Sequence, residues 1–157
     1  MITVGISDLA VSKAPEVIVT YALGSCIGIA LYDNTTKIGG LVHIMLPSSK
    51  EITVRNDNPK KYADTGIQLL LQELKAKGAN MSKLTAKIAG GAQMFTTSSS
   101  ILSIGDRNIK AVKAVLGAFK IPIVAEQVGE NYGRTVYLNT ETGILDVKSA
   151  SKGNIAI

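Results

Sequence analysis

The sequence has little of what disulfide-rich, metal-binding and membrane-spanning proteins depend on. Its 157 residues include one cysteine, one histidine and no tryptophan. A single cysteine excludes an internal disulfide, and one cysteine with one histidine falls short of the roughly three or four ligands of a zinc site unless carboxylates supply the rest. No apolar run approaches the roughly 18 residues that span a membrane, and the first residues lack the basic segment of a signal peptide. We therefore expect a cytosolic protein with no membrane insertion and no bound metal.

The composition is that of an ordinary folded protein with a modest positive charge. Hydrophobic residues make up 46% of the chain, charged residues make up 18%, and the formal net charge is +5. A chain of this length can bury a substantial core, so we expect residues 1–157 to form a single domain. The charged residues form no long block of one sign and have few aromatic residues among them. This pattern disfavours nucleic-acid binding.

Lysines concentrate in the middle of the sequence, where few acidic residues accompany them. They are Lys60, Lys61, Lys75, Lys77, Lys83 and Lys87, against Asp64 and Glu73. Two interpretations stay open at this point. The lysines form a solvated face, or they attract an acidic protein partner, because complementary charge speeds the encounter of two proteins.

Seven short segments have the β-branched content or the alternation of strands, and two have the apolar spacing of helices. Strands are predicted at 17–22, 27–32, 38–46, 84–89, 121–128, 134–138 and 144–148, and helices at about 62–77 and 107–119. The strands at 27–32 and 38–46 flank a turn and carry apolar or small residues on both faces, which is typical of a sheet covered on both sides. We predict an α/β fold with mostly antiparallel sheet and two main helices, not a doubly wound nucleotide-binding fold.

Cys26 and His43, the only residues of their types, fall at the two strands of this first hairpin. A two-residue turn would set them opposite each other, a four-residue turn would keep them on one face, and a three-residue turn would separate them. On one face they suit thiol attack on a carbonyl. An imidazolium would lower the thiol pKa, and backbone N–H groups of residues 23–26 would hold the oxyanion. Gly28 and Ala30 share this face and would leave room for a substrate. The alternative is that Cys26 and His43 are ordinary core residues.

Gly90-Gly91 ends one of the predicted strands. The pair lacks the lysine and hydroxyl residues that hold a phosphate in a nucleotide-binding loop, so a tight turn or a close backbone approach is the favoured interpretation.

Six short motifs follow one another along the chain, and each alone is weak. They are Thr20-x-x-Leu23-Gly24-Ser25-Cys26, His43-x-Met45-Leu46-Pro47, Lys60-x-Tyr62-Ala63-Asp64, Lys87-Ile88-Ala89-Gly90-Gly91-Ala92-x-Met94-Phe95, Ile104-Gly105-x-Arg107-Asn108, and Gly133-Arg134 with Thr142-Gly143. In this order and spacing the sequence resembles the chemoreceptor glutamine deamidase family, CheD, over nearly its whole length. It departs from the family pattern at Glu130, where a glycine is common, and in a longer, more polar loop at 96–100.

The resemblance implies a three-layer α/β/β sandwich and an activity. The activity is hydrolysis of selected glutamine side chains on methyl-accepting chemotaxis receptors, which gives glutamate and ammonia. By resemblance the catalytic residues are Cys26, His43 and Thr20, acting through a thioester and requiring no cofactor. The implied partners are the cytoplasmic helices of the receptors and a CheC-type phosphatase, and we expect a monomer. The alternative is a non-catalytic adaptor that binds the receptor or the phosphatase.

The spacing of Thr20 constrains the role that the resemblance gives it. Six residues of extended strand cover about 20 Å, too far for Thr20 to reach a site at Cys26 unless the chain reverses between them. We expect the reversal at residues 24–25, which would lay 17–22 antiparallel to 27–32 and place Thr20 near Gly28. Its hydroxyl would then orient the ring of His43.

Overall fold

The structure, a computed structural model, describes residues 1–51, 58–94 and 103–157. The described residues form ten strands, which are β1 (Ile2–Val4), β2 (Asp8–Lys13), β3 (Val17–Leu23), β4 (Ile27–Asp33), β5 (Ile38–Ile44), β6 (Leu84–Gly90), β7 (Ile123–Val128), β8 (Arg134–Asn139), β9 (Leu145–Ser149) and β10 (Gly153–Ala156). The two α-helices are α1 (Ala63–Lys77) and α2 (Ile104–Ala118), and short 3₁₀ turns lie at Ser49–Glu51, Pro59–Lys61 and Met81–Lys83. Within these ranges, no helix is long and apolar enough to cross a membrane.

The strands form two five-stranded sheets that pack face to face. The central sheet has the order β2-β5-β4-β6-β7 and the outer sheet the order β1-β3-β8-β9-β10. Only the β1–β3 and β6–β7 pairs are parallel among the described strands. One face of the central sheet packs on α1 and α2, and the other packs on the outer sheet. The three-layer α/β/β sandwich with mostly antiparallel sheet is therefore confirmed.

Strand β4 shows how the central sheet separates two cores. Ile27, Ile29 and Leu31 belong to the core beneath the helices, whereas Ala30 belongs to the core between the sheets. Every residue of β4 and of β5 is buried. The expectation of a hairpin covered on both sides is confirmed, and it explains why these strands lack the usual polar face.

The helices follow the sequence pattern closely. In α1 the side chains of Ile67, Leu70 and Leu74 are buried, and the helix ends where Gly78 adopts the left-handed backbone conformation. Helix α2 begins at Ile104, earlier than the predicted residue 107, because the Ser103 side chain accepts the N–H of Asp106 and caps the first turn. The loop at 96–100 lies outside the described residues.

The predicted pairing of the segment 17–22 with 27–32 is wrong. Strand β3 pairs with β1 and β8 in the outer sheet, whereas β4 lies in the central sheet between β5 and β6. The chain does change direction over residues 24–26, but it crosses from one sheet to the other there. Strands β1, β2 and β10 had no sequence prediction.

Candidate active site

The first hairpin places Cys26 and His43 on one face of the central sheet. Asp33 pairs with Ile38 across a four-residue loop, and in the same register Gly28 pairs with His43. Cys26 comes just before β4, two positions from Gly28 and therefore on the same face as His43. The Cys26 side chain packs against the core between the sheets. The geometry is thus the four-residue alternative that the sequence left open.

Thr20 meets His43 from the opposite sheet. The Thr20 side chain is buried, and its Oγ1 lies 2.8 Å from His43 Nδ1. The same hydroxyl donates to the Val4 carbonyl at 2.8 Å. A hydroxyl has one proton to donate, so Thr20 Oγ1 must accept the N–H of Nδ1. Neutral His43 therefore carries its proton on Nδ1 and keeps Nε2 as a free base.

The Nε2 atom of His43 is buried and has no hydrogen-bond partner in the described part of the chain. A buried polar atom without a partner is costly and calls for an explanation. Cys26 lies on the same face, and its thiol is the group that Nε2 would deprotonate if the pair is catalytic. Hydrogen bonds of this kind are often unmade in a free enzyme and form when the substrate binds.

Gly28 permits the close approach of the two sheets at this point. A Cβ atom at Gly28 would lie 3.1 Å from Leu23 Cδ1, 3.5 Å from Val136 Cγ2 and 3.6 Å from Thr20 Cγ2. Thr20 is therefore near Gly28, as predicted, but across the space between the sheets. The expectation that Gly28 and Ala30 leave room for a substrate is wrong, because side chains of the outer sheet fill that space.

Residues 24–26, where the chain crosses from the outer sheet to the central sheet, are held in place by hydrogen bonds to their own carbonyl groups. The Gly24 carbonyl accepts the N–H of Ala92, and the Cys26 carbonyl accepts the N–H of Gly91, each at 2.9 Å. A side chain at Gly90 would collide with the Cys26 carbonyl, and Gly90 and Gly91 both have positive φ. The interpretation of Gly90-Gly91 as a close backbone approach is therefore confirmed, and it fixes the backbone beside Cys26.

Burial disfavours charge on both Cys26 and His43. It raises the pKa of the Cys26 thiol, against the smaller opposing effect of the Cys26 backbone N–H. Burial also lowers the pKa of His43 to about 4. Near neutral pH the favoured resting state is a neutral thiol beside a neutral imidazole. This differs from the imidazolium–thiolate pair expected from the sequence, because the sequence alone did not reveal how deeply the outer sheet covers the ring.

Two groups that contact the site residues had no predicted role. The Val4 carbonyl fixes the Thr20 hydroxyl, but it belongs to a three-residue strand too short to leave a pattern. Asn108 donates from Nδ2 to the carbonyls of Ser25 and Met45, both at 2.9 Å. Its signal was present, since Asn108 stands in the same helical stripe as Val112 and Leu116, and all three are buried.

The middle lysines differ in exposure and in their partners, so they are not all part of a solvated face. Lys87 is half-buried, and its Nζ donates to the carbonyl groups of Gly143 and Ile157 at 2.9 Å. The Lys60 ammonium lies 3.4 Å from the Asp8 carboxylate. The other lysines of the group are exposed at Lys75, Lys77 and Lys83, or half-buried at Lys61.

Glu130 adopts the left-handed backbone conformation, with φ of 62°. That conformation is strained for most residues and free for glycine, which accounts for the glycine that the resemblance leads us to expect there. The Glu130 carbonyl accepts the N–H of Gln93, so the departure from the pattern leaves this backbone contact in place.

The fold and site define an α/β/β sandwich in which a histidine of the central sheet is hydrogen-bonded to a threonine of the outer sheet, with a cysteine just before β4 on the face of that histidine. A family model described as "CheD chemotactic sensory transduction" matches residues 45–149. Similar curated proteins cover nearly the whole chain. A protein of Caldanaerobacter subterraneus subsp. tengcongensis is 50% identical over 98% of this chain and 95% of its own length. One of Clostridium novyi is 49% identical over 99% and 97%.

Both proteins carry the name "Probable chemoreceptor glutamine deamidase CheD", as does a protein of Lachnoclostridium phytofermentans that is 50% identical over 97% of this chain and 95% of its own length. The chain belongs to the CheD family. The match to the family model begins after Thr20, Cys26 and His43. The match therefore says nothing about these three residues, and their proposed roles rest on their geometry.

Proposed function

We propose that this chain is a hydrolase that deamidates selected glutamine side chains of methyl-accepting chemotaxis receptors, with Cys26 as nucleophile, His43 as base and acid, and Thr20 as the orienting group. The names of the family relatives support the substrate and the reaction. One observation carries the residue roles. Thr20 Oγ1 accepts a hydrogen bond from His43 Nδ1–H. The buried Nε2 of the ring therefore stays unprotonated and unpartnered on the face that His43 shares with Cys26.

The chemistry needs one nucleophile and one proton carrier. Cys26 Sγ attacks the carboxamide carbon while His43 Nε2 takes the thiol proton, and backbone N–H groups near Cys26 stabilise the oxyanion. The tetrahedral intermediate collapses as Nε2–H protonates the nitrogen, so ammonia leaves and a thioester remains. Water then attacks the thioester and gives a proton to Nε2. The second collapse releases glutamate and returns that proton to the sulfur.

Thr20 acts on the ring and not on the substrate. As an uncharged partner, it fixes the orientation of His43 without raising the pKa of the imidazole as a carboxylate would. A low His43 pKa keeps Nε2 unprotonated at neutral pH and makes the imidazolium a strong acid toward the leaving nitrogen. The three residues need no cofactor for this reaction.

The second candidate is an adaptor that binds the receptor or the phosphatase without turnover. The buried, unpartnered Nε2 speaks against it, because a binding module gains nothing from a costly orphaned base. An assay on a receptor fragment that contains the modified glutamines distinguishes the deamidase from the adaptor. Wild-type protein should release ammonia and convert glutamine to glutamate, as located by mass spectrometry, whereas Cys26→Ala should not. A Cys26→Ala variant with undiminished ammonia release would overturn the mechanism.

The proposal extends to the domain, the oligomeric state, the location and a second partner. Residues 1–157 act as one deamidase domain, monomeric and cytoplasmic, and a CheC-type phosphatase is a second partner beside the receptor helices. The core shared by the two sheets supports a single folding unit. Light scattering of the purified chain tests the monomer, and titration with a CheC-type phosphatase tests the second partner. A dimer, or no binding at micromolar concentration, would contradict the corresponding part.

A further inference from the structure

A buried amide on α2 joins the two segments that carry the proposed nucleophile and base. Asn108 is fully buried, and its Nδ2 donates to the Ser25 carbonyl and to the Met45 carbonyl, both at 2.9 Å. Ser25 immediately precedes Cys26, and Met45 lies two residues beyond His43. One side chain of α2 therefore holds both segments from the helix side of the central sheet.

The orientation of this amide follows from its partners. Both are carbonyl oxygens, which accept only, so the nitrogen with its two N–H groups must face them. The Oδ1 atom of Asn108 is buried and has no hydrogen-bond partner within the described ranges. A buried acceptor without a donor destabilises the fold. The two N–H groups account for an amide at this position of an otherwise apolar stripe.

The bond to the Ser25 carbonyl sets the direction of the next N–H. In a planar trans peptide the C=O of Ser25 and the N–H of Cys26 point in opposite directions. Because Asn108 fixes the carbonyl toward α2, the Cys26 N–H points away from α2. The Cys26 N–H also acts on its own thiol, since it opposes the rise in the thiol pKa that burial causes.

We infer that Asn108 is a positioning residue, which fixes the Ser25–Cys26 peptide so that the Cys26 N–H stabilises negative charge on the sulfur and on the oxyanion. The inference rests on the role proposed above for Cys26. Asn108 does not touch the reacting atoms. Its effect must therefore be visible in properties of Cys26 itself as well as in turnover.

The test compares Asn108→Ala with Val112→Ala. Val112 is fully buried one turn further along α2, so its truncation leaves a larger cavity but keeps the amide. Both variants are assayed at a temperature where circular dichroism finds them folded. For Asn108→Ala we expect kcat on a receptor fragment to fall about 10- to 100-fold with KM nearly unchanged, as for a misaligned oxyanion donor. The pH midpoint of Cys26 alkylation by a small neutral reagent should rise.

A second variant separates the hydrogen bonds from the shape. In Asn108→Asp the side chain keeps its size. Because the buried carboxyl faces two carbonyl oxygens, it stays protonated, and it donates one hydrogen bond where the amide donates two. Its kcat and its alkylation midpoint should fall between those of wild type and Asn108→Ala. If Asn108→Ala does not fold, Asn108→Asp alone tests the inference. Wild-type kcat and an unshifted pH midpoint of Cys26 alkylation in Asn108→Asp would then overturn it.

The outcomes distinguish this inference from the proposed function. Equal losses in Val112→Ala and Asn108→Ala, or an unchanged alkylation midpoint in Asn108→Ala, would make Asn108 a structural residue only and would leave the role of Cys26 intact. Undiminished ammonia release by Cys26→Ala would instead refute the mechanism, whatever Asn108 does to alkylation.

Discussion

Thr20 and His43 belong to different sheets, yet Thr20 Oγ1 lies 2.8 Å from His43 Nδ1. The hydrogen bond therefore exists only when the outer sheet is packed on the central sheet. Among the described residues, no hydrogen bond from the central sheet holds the ring, so the mechanism proposed for His43 couples catalysis to the packing between the two layers.

Removal of the Thr20 hydroxyl should slow turnover without abolishing it. In Thr20→Ala the ring of His43 loses its fixed orientation and its Nδ1–H is left buried without a partner, so we expect kcat to fall roughly 10- to 1,000-fold. Thr20→Ser keeps the hydroxyl and is the matched control, which should retain most of the activity. Cys26→Ala and His43→Ala should lose more. Full activity in Thr20→Ala would leave a dyad of Cys26 and His43.

A methyl group at Gly28 should impair the site more than the same change elsewhere between the sheets. In Gly28→Ala the new Cβ would approach Leu23 Cδ1 to 3.1 Å, and in Gly39→Ala it would approach Leu138 Cδ2 to the same distance. Overpacking of this kind costs about 1–3 kcal/mol of stability, and both variants should lose a similar amount in urea unfolding. Of the two glycines, Gly28 pairs with His43, whereas Gly39 pairs with Tyr32. We expect kcat to fall in Gly28→Ala alone, and equal kcat values would refute the coupling.

The sequence predicted the fold where local patterns were strong. The apolar spacing in α1 and the glycine at position 78 gave the helix and its end almost to the residue. The edge strands β1, β2 and β10 were missed. Strands β1 and β10 have only three and four residues, and β2 has only two large apolar residues, Leu9 and Val11, so each carries little pattern of its own. The pairing of β3 was wrong for a related reason. A turn between two segments shows that the chain changes direction, but it does not show whether they remain in one sheet.

The shared face of Cys26 and His43 was predictable from the sequence, but the charge state of the pair was not. Cys26 and His43 were identified by their rarity and by the parity of a hairpin, which depends only on the turn length. The charge state depends on what covers the pair, and that cover comes from the outer sheet, distant in sequence. Asn108 was visible as a polar residue in an apolar stripe, but its two partners could not be named before the fold was known.

Stability should fall between about pH 6.5 and pH 5 because of His43. An unfolded histidine takes up a proton near pH 6.5, whereas burial lowers the pKa of folded His43 to about 4. Below pH 6.5 the unfolded state therefore binds more protons than the folded state. The free energy of unfolding should then decrease as the pH falls, with a slope that approaches about 1.4 kcal/mol per pH unit. Urea unfolding at several pH values measures the slope. His43 is the only histidine of the chain, so His43→Gln should remove the slope in this window.

The free enzyme should have an unremarkable thiol at neutral pH. Because burial raises the pKa of Cys26 and His43 is neutral, alkylation by a small uncharged reagent should increase steadily from pH 7 to above pH 9. In contrast, kcat/KM should change little from pH 6 to pH 8, since the base Nε2 stays unprotonated through that range. A fast alkylation plateau already present at pH 6 would instead indicate the imidazolium–thiolate pair expected from the sequence.

The last prediction concerns which lysines meet the receptor. The carbonyl of Lys61 accepts the backbone N–H groups of Met45 and Leu46, so Lys61 lies beside the strand that carries His43. Lys77 lies at the far end of α1, about 21 Å along the helix. A receptor segment with net negative charge must reach Cys26. Its attraction to Lys61 should therefore be stronger than its attraction to the more distant Lys77. We expect Lys61→Gln to raise KM several-fold and Lys77→Gln to change it little. Added salt should raise the KM of the wild type while Cys26 alkylation by a neutral reagent stays constant. If the two lysine variants behave alike, or if salt slows alkylation as much as deamidation, the basic residues are only a solvated surface.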